Sequence, residues 1–130
     1  MTIRESGEMY LETVYVLSQR SDSVRSIDVG EYMGYSKPSV SRAVSVLKKE
    51  GYITVDGRGY ITLTETGEEI AKRVYERHML LSRLFMNIGV DVETAAADAC
   101  RVEHYISEKT FEALKRHFEQ YGSDKKPSGE

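Results

Sequence analysis

The sequence predicts a mainly α chain, an N-terminal winged helix-turn-helix with a two-stranded wing followed by an all-helical domain. Three observations carry this expectation. Two short amphipathic stretches meet at Gly34, two β-rich runs flank Asp56-Gly57-Arg58-Gly59, and only helical patterns follow.

The elements follow in order. Between Glu8 and Arg20 the apolar residues Tyr10, Leu11, Val14, Tyr15 and Leu17 have helical spacing, with Ser6 available as a cap. Val24 to Met33 reads as a second helix, capped by Ser26 and closed by Gly34, where a left-handed residue can end it. A third helix opens at Ser36, places Pro38 in its first turn, where a missing N–H costs nothing, and buries Val40, Val44 and Leu47. Tyr52–Val55 and Tyr60–Leu63 form the hairpin of a wing. Thr64 starts a long helix whose apolar face runs from Ile70 to Phe85 and stops at Gly89. Asp91 caps a helix reaching about Tyr105, and Ser107 caps a last one extending to Tyr121. The expected domains are 1–68, the winged helix, and 69–122, the helical domain, with a polar flexible tail over 123–130.

Composition narrows the function. The chain has 130 residues, no apolar run approaching the ~20 needed to span a bilayer, and no basic-then-apolar leader. One cysteine cannot close an internal disulfide, so a reducing cytoplasm is the expected location. With 18 Lys and Arg against 21 Asp and Glu, the chain as a whole is no general polyanion binder. Between Ser36 and Tyr60, however, five basic residues (Lys37, Arg42, Lys48, Lys49, Arg58) oppose two acidic ones, Glu50 and Asp56. A basic patch on an acidic body is the footprint of a local nucleic-acid contact.

That patch coincides with the third helix. With Val40, Val44 and Leu47 turned inward, Lys37, Ser39, Ser41, Arg42 and Ser45 face solvent, and small hydroxyls beside Arg and Lys suit a major groove. Ser36 and Pro38 shape the helix N-terminus, whose N–H groups suit phosphate, and Arg58 at the hairpin tip adds a further contact. Two such heads on a palindromic operator would reinforce one another, so a homodimer is expected.

A second cluster carries metal chemistry. Cys100, Glu103 and His104 fall at spacings of three and four, which on a helix sets thiolate, carboxylate and imidazole on one face. Met9 and Glu12 on the first helix and His78 on the long helix extend the set to six donors on three helices, enough for one octahedral ion or two neighbouring ions. Each has a plainer role as a core residue; the joint occurrence of the three is what raises them above it. His117 has only glutamates near it and reads as a surface residue.

The strings Glu8-Met-Tyr-Leu-Glu-Thr-Val-Tyr15, Ser36-Lys-Pro-Ser-Val-Ser-Arg42 and Asp98-Ala-Cys-Arg-Val-Glu-His104, with Arg77-His78 between the last two, resemble the diphtheria toxin repressor (DtxR) family of iron- and manganese-dependent repressors over nearly the whole chain. The resemblance implies a DNA-binding winged helix, a dimerising helical domain and a corepressor metal between them. Iron-type members share Met9 and Cys100 but carry a further SH3-like domain. The length resembles instead the short two-domain, MntR-like form, in which the places of Glu12 and His78 are ligands and those of Met9 and Cys100 are carboxylates. Ser82 and Ala96 stand where the iron type places further ligands of an ancillary site, so the chain is a hybrid. Soft thioether and thiolate donors make Fe(II) the first expectation and Mn(II) a close second, with Co(II), Ni(II) or Zn(II) able to bind in vitro. The expected function is a metal-dependent repressor of metal-uptake genes, not an enzyme. Alternatives left open are a redox-sensing winged-helix regulator acting through Cys100, a small metalloenzyme, and a regulator responding to an organic ligand.

Overall fold

The computed structural model of the chain describes residues 5–121. The elements are α1 (Glu5–Ser18), α2 (Ser26–Met33), α3 (Lys37–Lys49), β1 (Ile53–Val55), β2 (Ile61–Leu63), α4 (Glu65–Asn87), α5 (Val92–Val102) and α6 (Glu108–Tyr121). The chain divides into two compact units between Arg73 and Val74, within α4. The expected flexible tail over 123–130 lies outside the described residues.

The first unit is the expected winged helix. Its core is Leu11 and Val14 of α1, Val29 of α2, Val40 and Leu47 of α3, Ile53 and Ile61 of the hairpin, and Ala71 of α4. Full burial of each Leu, Ile or Val contributes about 1.5–3 kcal/mol, so the helical and alternating patterns decide the fold together. Gly34 takes φ 75 and ends α2, with its N–H on Gly30 O. Ser36 then caps α3, its Oγ accepting from Ser39 N at 3.3 Å. The hairpin pairs Ile53 with Leu63 and Val55 with Ile61 in antiparallel register. Its second strand is anchored to the segment before α2 by Ile61 N on Val24 O at 2.7 Å. At the base of the wing Thr64 Oγ1 donates to Gly51 O and accepts from Gly67 N, which locks the start of α4 to the end of α3.

Three boundaries differ from the sequence expectation. α1 is already helical at Glu5, which puts Ser6 inside it rather than at its cap. Arg25 is the N-cap of α2, and its backbone N–H donates to the Asp28 carboxylate at 2.8 Å, so Ser26 is the first helical residue. The helix starting at Asp91 stops at Val102 instead of reaching Tyr105. There the backbone tightens, with Tyr105 N and Ile106 N both turning onto Val102 O, before Ser107 caps α6 by accepting from Thr110 N.

The second unit buries Val74 and Leu81 of α4, Ala95 and Ala99 of α5, and Phe111 and Phe118 of α6. α4 and α6 are further tied by Lys115 Nζ on Glu76 Oε2 at 2.7 Å and by the Arg83 guanidinium over the Phe118 ring. Asp91 caps α5 through Thr94 N at 3.0 Å.

Candidate metal centre and nucleic-acid face

The second unit builds its polar centre around one residue. Glu103 follows the last residue of α5 as its C-cap, keeps helical dihedrals, and is fully buried at 0 % exposure. Its Oε1 lies 2.9 Å from His78 Nδ1, across 25 positions of sequence, and its Oε2 lies 3.3 Å from His104 Nε2. The first contact is a hydrogen bond. The second is an ion-pair distance without hydrogen-bond direction, and Oε2 has no hydrogen-bond partner among the described residues. Where the carboxylate is ionised it can only accept, so His78 Nδ1 carries the proton in that contact. His78 is partly exposed and His104 nearly buried, with side-chain exposures of 24 % and 2 %.

An ionised carboxylate withdrawn from water costs several kcal/mol unless a cation or a full set of donors offsets it. Here one oxygen lacks a donor while two imidazoles stand beside the group. That donor chemistry fits a divalent first-row cation, for which imidazole and carboxylate are common ligands.

Of the six metal candidates, then, His78 and His104 each lie beside the Glu103 carboxylate, on different oxygens. Cys100, half-buried on α5, lies one helical turn before Glu103. Met9 and Glu12 are half-buried, one turn apart on α1 in the first unit. The single-face reading of Cys100, Glu103 and His104 needs amendment, because His104 lies beyond the end of α5 in the turn 103–105.

On the first unit the nucleic-acid candidates are largely on the surface. Ser36, Lys37, Pro38, Ser41 and Arg42 are exposed and Ser39 is half-buried, its hydroxyl accepting from Ser36 Oγ at 3.1 Å. Arg58 is exposed at the wing tip. The Asp56 carboxylate accepts from both Arg58 N and Tyr60 N at 2.9 Å, and Gly59 takes φ 86, so the tip is a closed turn with a fixed exit. Sequence reasoning missed this role of Asp56, although Asp at the first position of a Gly-rich turn is its usual sign. It also missed Arg25, whose guanidinium stacks 4.8 Å above the Tyr60 ring beside the wing.

A winged helix followed by a helical body with a buried acid between two histidines defines a class, that of DNA-binding regulators with a separate ligand-binding unit. Residues 2–60 match the family model of the iron dependent repressor N-terminal DNA binding domain, and residues 64–129 that of the iron dependent repressor metal binding and dimerisation domain. The chain belongs to this family, the diphtheria toxin repressor family, which consists of transcriptional repressors and not enzymes.

Two relatives bracket it. The HTH-type transcriptional regulator MntR of Lysinibacillus sphaericus is 34% identical over 102 residues, 78% of this chain and 73% of that one. The iron-dependent repressor IdeR of Mycobacterium tuberculosis is 36% identical over 105 residues, 80% of this chain and 46% of that one. The chain thus spans about half the length of the mycobacterial relatives it matches. Among solved structures, the manganese regulator SloR superposes with a TM-score of 0.79 at 28% identity, over 92% of this chain and 55% of that one. The IdeR of T. acidophilum gives 0.74 at 24% identity over 95% and 56%, a likeness of fold. No helix among the described residues is long and apolar enough to cross a membrane.

Proposed function

We propose that this chain is a repressor that binds palindromic operator DNA as a homodimer when Fe(II) or Mn(II) is bound, and so controls metal-uptake genes in the cytoplasm. The observation that carries the reading is the Glu103 carboxylate, wholly buried between two imidazoles with one oxygen lacking a hydrogen bond. His78, Cys100, Glu103 and His104 would hold the ion, joined by Met9 and Glu12 as the family resemblance implies. When bound, the ion supplies the positive charge that this carboxylate lacks.

The donor set speaks for the metal. Thiolate and thioether beside imidazole and carboxylate favour Fe(II) over Mn(II), while Mn(II) stays close because cellular availability can override intrinsic affinity. On the DNA side, Lys37 and the N-terminus of α3 would bind phosphate, Arg42 and the serines Ser39 and Ser41 would read base edges, and Arg58 would reach the backbone from the wing. Coupling follows from linkage: an ion can shift the protein toward its DNA-competent state only by binding that state more tightly, so metal and DNA strengthen each other's binding equally.

The test is a selection of duplexes from a random library, followed by anaerobic titration of the winning duplex with Fe(II), Mn(II), Co(II) and Zn(II). Inverted half-sites bound only with metal, and released by chelator, are expected. Binding indifferent to chelator sinks the proposal.

A further inference from the structure

Arg77, the residue before His78 on α4, is nearly buried, and its guanidinium is committed to the connection between α5 and α6. One terminal nitrogen donates to Glu103 O at 3.1 Å and to Ile106 O at 2.9 Å, and the other donates to Glu108 Oε1 at 2.8 Å. The group lies 5.3 Å over the Phe111 ring, and its Nε is buried without a hydrogen-bond partner. The side chain thus leaves one donor unmet while reaching both carbonyls. These carbonyls follow the end of α5, where the chain has left the helical ladder and acceptors need an outside donor.

Two successive residues of one helix therefore grip the same acid, Arg77 by its backbone carbonyl and His78 by its carboxylate. We propose that Arg77 is the positioning residue of the metal centre, fixing the turn 103–106 so that the Glu103 carboxylate is aimed before any ion arrives. The inference rests on the metal reading of Glu103 given above. A planar fork serves both carbonyls at once, and a lysine ammonium on a flexible stem does not reproduce that geometry. Glu108 contributes little to the grip, because its side chain is 61% exposed and exposed ion pairs are weak.

The test compares Arg77→Lys, Arg77→Met and Glu108→Gln by Co(II) titration, following both affinity and the d–d absorption bands, with melting of the metal-free proteins as a check on folding. Supporting residues around a metal site typically change affinity by about 10–100-fold, and a loss in that range with altered bands is expected for both Arg77 variants. Glu108→Gln is expected to stay within about twofold of the parent. A folded Arg77 variant with parental affinity and bands overturns the proposal. The unsubstituted metal-free protein gives a second measurement: a clamp formed in advance predicts resolved, non-averaged guanidinium resonances for Arg77, and a freely rotating guanidinium overturns it. Failure of the underlying site reading is distinguishable, since Glu103→Gln would then also keep full Co(II) affinity.

Discussion

His78 and Glu103, 25 positions apart in sequence, meet at 2.9 Å, and the glutamate, which also lies beside His104, is fully withdrawn from solvent. A buried acid with an unmet oxygen costs stability in the metal-free protein and favours whatever cation neutralises it. Glu103→Gln, nearly the same shape without the charge, should therefore melt at or above the parent when both are metal-free. Saturating ion should raise the parent's stability by about 2.7 kcal/mol at a hundred times its dissociation constant and should leave Glu103→Gln unmoved. Calorimetric melts with and without Mn(II) or anaerobic Fe(II) make the comparison. An equal metal-induced rise in both proteins would show that Glu103 is no ligand.

Arg42 and Arg58 should lose DNA binding in different ways. Arg42 is exposed on α3, and a base contact there is worth about 1–3 kcal/mol and relaxes specificity at one position when removed. Arg58 on the wing faces phosphate in the proposed complex, so Arg58→Ala should weaken all duplexes alike and lower the salt dependence by about one unit of slope. Asp56→Ala keeps every positive charge but frees Arg58 N and Tyr60 N from their shared acceptor. It should therefore weaken the wing contact through misplacement alone. Anisotropy titrations over a range of salt separate the three cases, and an Asp56→Ala protein with unchanged affinity would remove the turn from the recognition surface.

What the sequence made legible was whatever is written locally. The stripe of Val40, Val44 and Leu47, the Ser36 cap and the left-handed Gly34 each depend on neighbours within one or two turns, and each stands where expected, Val44 half-buried and the others as read. The sequence pattern carries α5 past its actual end, because the run from Asp91 to Tyr105 holds no helix stop signal. The chain leaves the helix after Val102, and carbonyls beyond that point turn to Arg77, a partner from another helix. The same holds for the site. Spacing alone could group Glu103 with His104, but the meeting of Glu103 with His78 is a tertiary fact, for which the sequence offers only a spare donor on the long helix and the family resemblance of the Arg77-His78 pair.

Gly67 gives a test of the joint between wing and α4. A Cβ built there would lie 2.0 Å from Tyr52 O, a backbone atom that cannot swing aside. Gly67→Ala should destabilise the first unit by about 1–3 kcal/mol, the usual cost of overpacking, and should weaken DNA binding with it because the wing must shift. Gly57→Ala is the control, since a Cβ there meets nothing within 4 Å. Urea melts of both decide the matter, and a Gly67→Ala protein as stable as Gly57→Ala would mean that the joint is loose.

Asp91 gives the fold a defined response to acid. Thr94 donates to its carboxylate at the start of α5, the helix that carries Cys100 and ends just before Glu103, and these hydrogen bonds hold the Asp91 carboxyl below the usual carboxylate range. Because the folded pKa lies below the unfolded one, the cap's ionic contribution is complete above the unfolded value of about 4 and disappears as pH falls through the folded value. Asp91→Asn keeps a neutral acceptor at the cap and removes the charge beside the helix N-terminus. The parent should therefore melt higher than Asp91→Asn at pH 7, and the gap should close on acidification below about pH 4. Thermal melts of both proteins at pH 7 and pH 3 measure it. A gap that persists at pH 3 would mean that Asp91 acts through its shape at the cap and not through its charge.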